Sequence, residues 1–379
     1  MQLRGFKTAA ICMPDRNFLD RLAALLPDIA ANAASLDETR HFPRADFEAL
    51  TAAGLLRASV PESHGGFGFG AGIEGADLLR RLLVSLGEAN LAVARLYEAH
   101  VNAIQLVFRY GNEALKRRCA ADAAENHLFA LWVTDPHGGA LRLRSAGDGW
   151  VLEGAKAFCS GSGAASRALV TAATPTGGSQ MLIVNLAQAR VMESGIRLAG
   201  MRAAVTGSAD FSGVPVSQSD FLGEEGDYLR EPVFSAGAWR SSAGALGGLT
   251  ALVNLHRREI RDRQRDSDSQ QRARFGQLIL AYETARLWMV RAARRACLED
   301  GPPTEIVAYI NLARLAVEAA CLDAMRLTQR SLGLGAFIAG HPAERICRDL
   351  SVFLRQPAPD ETLDKAAAYY FSAGLSERE

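Results

Sequence analysis

A change of hydrophobic period, made twice along the chain, limits this sequence more than any single motif does. Up to about residue 125, apolar side chains recur at three- and four-residue steps. Phe18, Leu22, Leu25, Leu26 and Ile29 open the series, and Phe47, Leu50, Leu55 and Leu56 continue it after Pro43. That is the spacing of helices with one buried face. A glycine-rich turn at Pro61–Gly68 leads into two longer helical stretches, Ile73–Gly87 and Ala89–Tyr110, the second closed by Gly111. Between 126 and 222 the pattern shortens to Leu128–Val133, Trp150–Leu152, Ala168–Ala172 and Met181–Leu186, each bounded by Gly, Asp, Pro or Ser. These are strand signals at hairpin spacing. Helical period returns in Ala236–His256, Gln271–Cys297, Glu305–Leu332 and Pro342–Leu354, with breaks at Pro302-Pro303 and Pro357/Pro359. The charged stretch Arg257–Arg274 reads as a solvated helix face and turn. The expected class is α+β: an N-terminal α-helical domain (1–125), a small β-barrel-like domain (126–222) and a C-terminal helical bundle (223–379).

Several function classes drop out. With 379 residues the chain exceeds one comfortable core, in keeping with two or three packed domains. Forty-two basic residues balance forty-two acidic ones, so nothing drives the chain towards nucleic acid or an anionic membrane. The absence of an eighteen-residue apolar run speaks against a membrane span. Met1–Asp15 lacks the apolar run and cleavage site of a secretory signal. The six cysteines (Cys12, Cys119, Cys159, Cys297, Cys321, Cys347) are scattered, and the seven histidines show no ligand spacing. Reduced thiols in a cytoplasmic protein, with no metal, are expected.

Several segments, met in order, resemble the acyl-CoA dehydrogenase family across nearly the whole chain. Phe42-Pro43, Ala53-Gly54-Leu55 and Val60-Pro61-Glu62-Ser63-His64-Gly65-Gly66 are similar to its F-P…G-L…V-P-E-x-x-G-G run. Trp132-Val133-Thr134-Asp135-Pro136 resembles V-T-E-P at a strand end that lies against the flavin. Leu152-Glu153-Gly154-Ala155-Lys156-Ala157-Phe158-Cys159-Ser160 resembles L-x-G-x-K-x-W-I-T. The resemblance implies FAD. Val133 and Thr134, with Trp132 at the strand end, would satisfy its polar edge. Phe158 would flank the ring, and Ser160 would reach the phosphate side. Gly200-Met201-Arg202 with Val214-Pro215-Val216 is similar to the G-x-R…V-P-V segment. Gln329…Gly333…Gly335 with Glu344-Arg345…Arg348-Asp349 resembles Q-x-x-G-G-x-G…E-R…R-D, although Leu332 stands where the first glycine belongs. Gln329 and Gly333 would then meet the adenosine half of FAD bound by a neighbouring subunit, which implies a homodimer or homotetramer. Spacing puts the pyrophosphate arginine on Arg263, with Arg261 and Arg265 as competitors.

The family's glutamate base is missing. Counted from Arg348-Asp349 it falls on Pro357, within Pro357-Ala358-Pro359, and the alternative position on an earlier helix, Ala236–Arg240, holds no acid. Asp360 is the nearest candidate base; the competing reading is that it caps the last helix. Three functions therefore stand open. One is an FAD-dependent dehydrogenase acting on acyl-CoA or another acyl thioester, its base displaced and its electron acceptor unidentified. The second is a flavin monooxygenase of the related hydroxylase branch, whose segments read K-x-F-x-S-G as Lys156–Gly161 does. The third is a non-catalytic partner subunit.

Overall fold

A computed structural model describes residues 17–375 except 148, 193–195 and 300. Met1–Asp15, read as lacking a secretory signal, and Cys12 within it lie outside the described residues. Helix α1 (Asn17–Thr39) and α2 (Arg44–Ala52) lead through tight turns to α3 (Gly72–Ala89), α4 (Leu91–Tyr110) and α5 (Glu113–Ala124). Asn90 and Asn112 start α4 and α5, their side-chain oxygens accepting from the Ala92 and Leu115 N–H groups, each at 2.9 Å.

The strands follow: β1 (Phe129–Trp132), β2 (Arg142–Ala146), β3 (Gly149–Glu153), β4 (Ala155–Cys159), β5 (Arg167–Ala173), β6 (Ser179–Asn185), β7 (Arg190–Met192), β8 (Gly207–Asp210), β9 (Pro215–Val216) and β10 (Phe221–Leu222). One sheet runs β10-β6-β5-β2-β3-β9, with β1 parallel beside β5; β4, β8 and β7 make a second. Gly154 passes the chain from β3 in the first sheet to β4 in the second at φ +114°, where a side chain would be strained. Trp132, Leu152, Val170, Leu182 and Phe211 belong to the core of this module.

Then come α6 (Val233–Ala236), α7 (Ala238–Asp262), α8 (Ser269–Leu298), α9 (Pro303–Leu332), α10 (Pro342–Phe353) and α11 (Pro359–Ala373). The first and last helical regions share one hydrophobic core, from Phe18 and Leu83 to Leu246 and Leu350. Glycine makes that possible. A Cβ on Gly87 of α3 would fall 2.2 Å from the Gly244 carbonyl of α7, and one on Gly247 would fall 2.2 Å from the Val84 carbonyl. The two helices therefore cross with their backbones in contact.

Two polar contacts seat the β module on this scaffold. On α4, His100 is buried, its Nε2 lying 2.7 Å from the Leu56 carbonyl while its Nδ1 accepts from the Phe129 N–H of β1 at 3.1 Å. A backbone amide can only donate, so the imidazole is neutral with its proton on Nε2. Burial pushes its pKa down to about 4. At the other end, Asp349 of α10 accepts from the Met201 N–H at 2.6 Å, and burial pushes its carboxyl up to about 6. Arg348 beside it pairs with Asp37 of α1 at 2.7 Å and with Glu344 at 2.6 Å, while Arg202 approaches Asp37 at 3.6 Å. The Gly200–Arg202 and Arg348-Asp349 segments thus dock on one another.

The depressed His100 imidazole ties stability to pH. The unfolded chain takes up a proton near the ordinary value of about 6.5, which the folded chain refuses until about 4. His100's contribution is complete above the unfolded value and is lost as pH falls through this window, by up to roughly 3 kcal/mol. The stability difference between wild type and His100→Gln, from urea unfolding, is expected to shrink accordingly between neutral pH and about pH 4. A difference that ignores pH would remove the neutral-imidazole assignment.

Candidate functional site

One surface of the β module is shaped by a buried cation. Lys156 of β4 is 1% exposed, and its Nζ donates to Asp135 at 2.6 Å, to the Val133 carbonyl at 3.2 Å and to Thr171 at 3.2 Å. Burial holds its pKa below the ordinary lysine range, against the pull of Asp135. Asp135 also accepts from the Leu141 N–H at 3.1 Å, and the Thr134 carbonyl accepts from the Ala157 N–H at 2.9 Å. The loop after β1 is thereby stapled to β4. Val133 is left half-buried and Thr134 exposed, its hydroxyl without a hydrogen bond among the described residues.

Phe158 stands on a bulge where the β4–β8 register slips between Ala157 and Cys159, at φ +54°. A phenylalanine in the left-handed region is strained, and this one is 56% exposed. An aromatic ring held out on a strained backbone suits a flat ligand better than core packing. Ser160 lies 3.1 Å from Thr206, a second hydroxyl that no sequence motif singled out. Trp132 departs from expectation. It is 2% exposed, edge-on to Phe211 in the module's core, and its indole N–H donates to the Ser160 carbonyl at 2.9 Å. Strand alternation turns its side chain inward, so it supports the surface from behind instead of facing a ligand.

A second group assembles at the far end of the bundle. Gly333 closes α9 at φ +63°, its N–H on the Gln329 carbonyl. Arg263 ends α7 with Nη2 3.6 Å from where a Cβ on Gly335 would stand, and pairs with Glu259 at 2.8 Å. Arg265 turns instead to Asp268 at 3.0 Å. Arg263 therefore sits beside the Gly333–Phe337 turn that follows Gln329. Among the described residues, no hydrogen bond or ion pair joins Arg263, Gln329 or Gly333 to Thr134, Phe158 or Ser160.

The third feature is a cleft of about 670 Å³ between the 59–75 loop, the second half of α4, the α6–α7 start and the end of α8. Aromatic and apolar side chains (Phe67, Phe69, Phe108, Val233, Ala236) share its wall with Gln105 and Arg240. Arg240 donates through Nε to Asn102 and through Nη1 to Gln105. Burial holds its pKa below the ordinary arginine range. Asn102 in turn donates to Glu98, which is paired with Arg95 at 2.7 Å. Helix α4 joins cleft and β surface, for Leu96 lies 3.1 Å from where a Cβ on Gly161 would stand. Arg240 ends the Ala236–Arg240 segment, where the resemblance implies an acid and the sequence has none. Asn102 and Gln105 were legible only as two polar residues three apart on a helix that also carries Arg95, Glu98 and His100.

Asp360 does not line this cleft. It sits exposed in the first turn of α11, after Ala358 at φ +48°, in the place of a helix-starting acid. The Pro357 carbonyl before it accepts from Arg314 at 2.7 Å.

Residues 16–127 match the model of the acyl-CoA dehydrogenase N-terminal domain. The chain is 25% identical over 356 residues to a probable acyl-CoA dehydrogenase, FadE25, of Mycobacterium tuberculosis, covering 86% of each. It is 26% identical over 362 residues to the L-evernosamine nitrososynthase of a Micromonospora species, covering 88% of this chain and 85% of that one. Among solved structures, FMN-bound TdsC from Paenibacillus sp. A11-2 superposes with a TM-score of 0.85 at 17% identity, covering 96% of this chain and 99% of that one. Butyryl-CoA dehydrogenase from Megasphaera elsdenii gives 0.84 at 19%, covering 97% and 100%. An acyl-CoA dehydrogenase and an FMN-bound protein thus share this architecture.

Removing the Lys156 charge strands Asp135 and two further acceptors, the Val133 carbonyl and the Thr171 hydroxyl. Because Asp135 is 37% exposed and partly resolvates, Lys156→Met is expected to cost about 2 kcal/mol in urea unfolding, less than a fully buried pair would. Adding Asp135→Asn should recover part of it. No loss in the single variant would dismiss the staple.

Proposed function

We propose that this chain, a divergent member of the acyl-CoA dehydrogenase family, is a flavin-dependent monooxygenase that does not dehydrogenate acyl thioesters. The observation that carries the reading is the 357–359 loop. Abstracting a substrate α-proton requires a carboxylate facing the substrate. Pro357 offers neither a carboxylate nor an N–H, its carbonyl is held by Arg314, and Asp360 is turned to solvent in α11. On the earlier helix a cation, Arg240, enters the cleft instead. An acyl tunnel should also be apolar, whereas here Asn102, Gln105 and Arg240 form a polar network.

The residues present fit a flavin. Phe158 offers an exposed aromatic face, Thr134 an uncommitted hydroxyl, and Ser160 with Thr206 a hydroxyl pair. Bound reduced flavin supplies two electrons to dioxygen, so that one oxygen atom enters the substrate and the other leaves as water. Lys156 keeps the 133–135 loop in place, and α4 brings the cleft alongside. In this reading the cofactor is FMN, not the FAD expected at first. Arg263, the expected pyrophosphate contact, is already paired with Glu259, and Leu332 replaces the first glycine of the pair; FMN in TdsC is in line with this. A second copy of the chain would complete the site. Exposed Leu334, Phe337 and Ile338 beside Gly333 are apolar surface suited to such a contact.

Mass analysis of the extracted flavin is expected to show FMN. Phe158→Ala should weaken flavin binding about tenfold, the worth of one aromatic face, without lowering Tm. In anaerobic titration, butyryl-, isobutyryl- and octanoyl-CoA should leave the bound flavin oxidised in wild type and in Asp360→Asn alike. With externally reduced flavin, the protein should consume oxygen. Bleaching by any of the thioesters would reinstate the dehydrogenase.

A further inference from the structure

Arg240 has five N–H donors in a planar fork. Two are committed, Nε to Asn102 and Nη1 to Gln105. Both acceptors are neutral amide oxygens, so they orient the guanidinium without neutralising it. The carboxylate nearest in this network, Glu98, is already paired with Arg95 at 2.7 Å and accepts from the Asn102 amide. Among the described residues, Nη2 has no hydrogen-bond partner. Gly237 keeps the space beside it open, since a Cβ there would stand 3.2 Å from Nη2. The cleft's other arginine, Arg109, is paired at the mouth with Glu299 at 2.6 Å. Glu62 and Glu74 on the wall are exposed to solvent, where water and salt screen them.

We propose that Arg240 selects the substrate, and that the substrate is an organic anion whose negative group docks on the free side of this guanidinium while an apolar body lies against Phe67, Phe69 and Phe108. The assignment rests on the cleft being the substrate chamber, as the function proposed above requires, but not on any flavin chemistry. Three observations carry it. A braced cation has donors left over. The side chains that brace it are uncharged. Around it the wall is aromatic, and a carboxylate or phosphate would meet a fork made for bidentate contact. An acyl chain in the same place would leave those donors facing hydrocarbon.

The test is titration calorimetry on the full-length protein as purified, with matched pairs: phenylacetate and phenylacetamide, hexanoate and hexanamide, phenyl phosphate and phenol. In at least one pair the anion is expected to bind about tenfold or more tightly than its neutral partner. Gln105→Glu leaves Arg240 in place but pairs it with a carboxylate. This variant should erase the preference while Tm stays level or rises. Arg240→Lys should keep a reduced preference and Arg240→Gln none. The proposal is overturned if no anion outbinds its neutral partner, or if the preference survives in Gln105→Glu. Heats of binding need no turnover. Thioester bleaching would therefore sink the monooxygenase reading while the anion preference is judged separately.

Discussion

The neutral imidazole of His100 is the contact on which the rest of the molecule hangs. It sits on a helix buried along most of its length, takes an N–H from β1 on one side and faces a carbonyl of the first helical region on the other. Buried backbone groups must find partners, and here one side chain satisfies two of them, one in the first helical region and one in β1. That sets the height and rotation of the β module on α4. The Asp349 contact to Met201 sets the other end. With both seats in place, the Phe158 surface and the Arg240 cleft lie along the same helix.

Both halves of the candidate site follow one physical rule. A buried charge is kept where it orders something else. Lys156 gathers a carboxylate, a carbonyl and a hydroxyl, and so gives the loop after β1 one conformation. Arg240 gathers two amide oxygens and is left with capacity. The first is saturated and therefore structural. The second is unsaturated on its cleft side and therefore available to a ligand. A dehydrogenase that pulls a proton from an apolar acyl chain needs a base there and no cation. In the proposed reading, a chamber with the opposite chemistry takes a different substrate and uses the flavin differently.

Motifs are most legible where the chemistry is local. The Lys156–Ser160 run already held an aromatic and a hydroxyl two residues apart, and the structure presents both at a bulge. The motif does not record which way Trp132 faces, because a strand's alternation decides that, and here the side chain is buried. Asp360 illustrates the same limit. Placed after two prolines it was legible both as a base and as a helix-starting acid, and the fold leaves it exposed in the first turn of α11. Arg240 escaped notice because a search for a missing acid does not register a cation.

By itself, the order of hydrophobic periods determined the architecture: helices, a strand-built module, helices again. It did so because burial of an apolar stripe has few solutions for each period. The sequence also established that the expected glutamate is absent, since no fold can put a carboxylate on a proline. Tertiary structure alone decided what replaced it. Asn102, Gln105 and Arg240 lie 138 and 135 residues apart in pairs, and nothing local couples them. They meet because α4 packs on α7, where a Cβ on Gly248 would fall 3.0 Å from Leu91, a contact that exists only once the helices have packed.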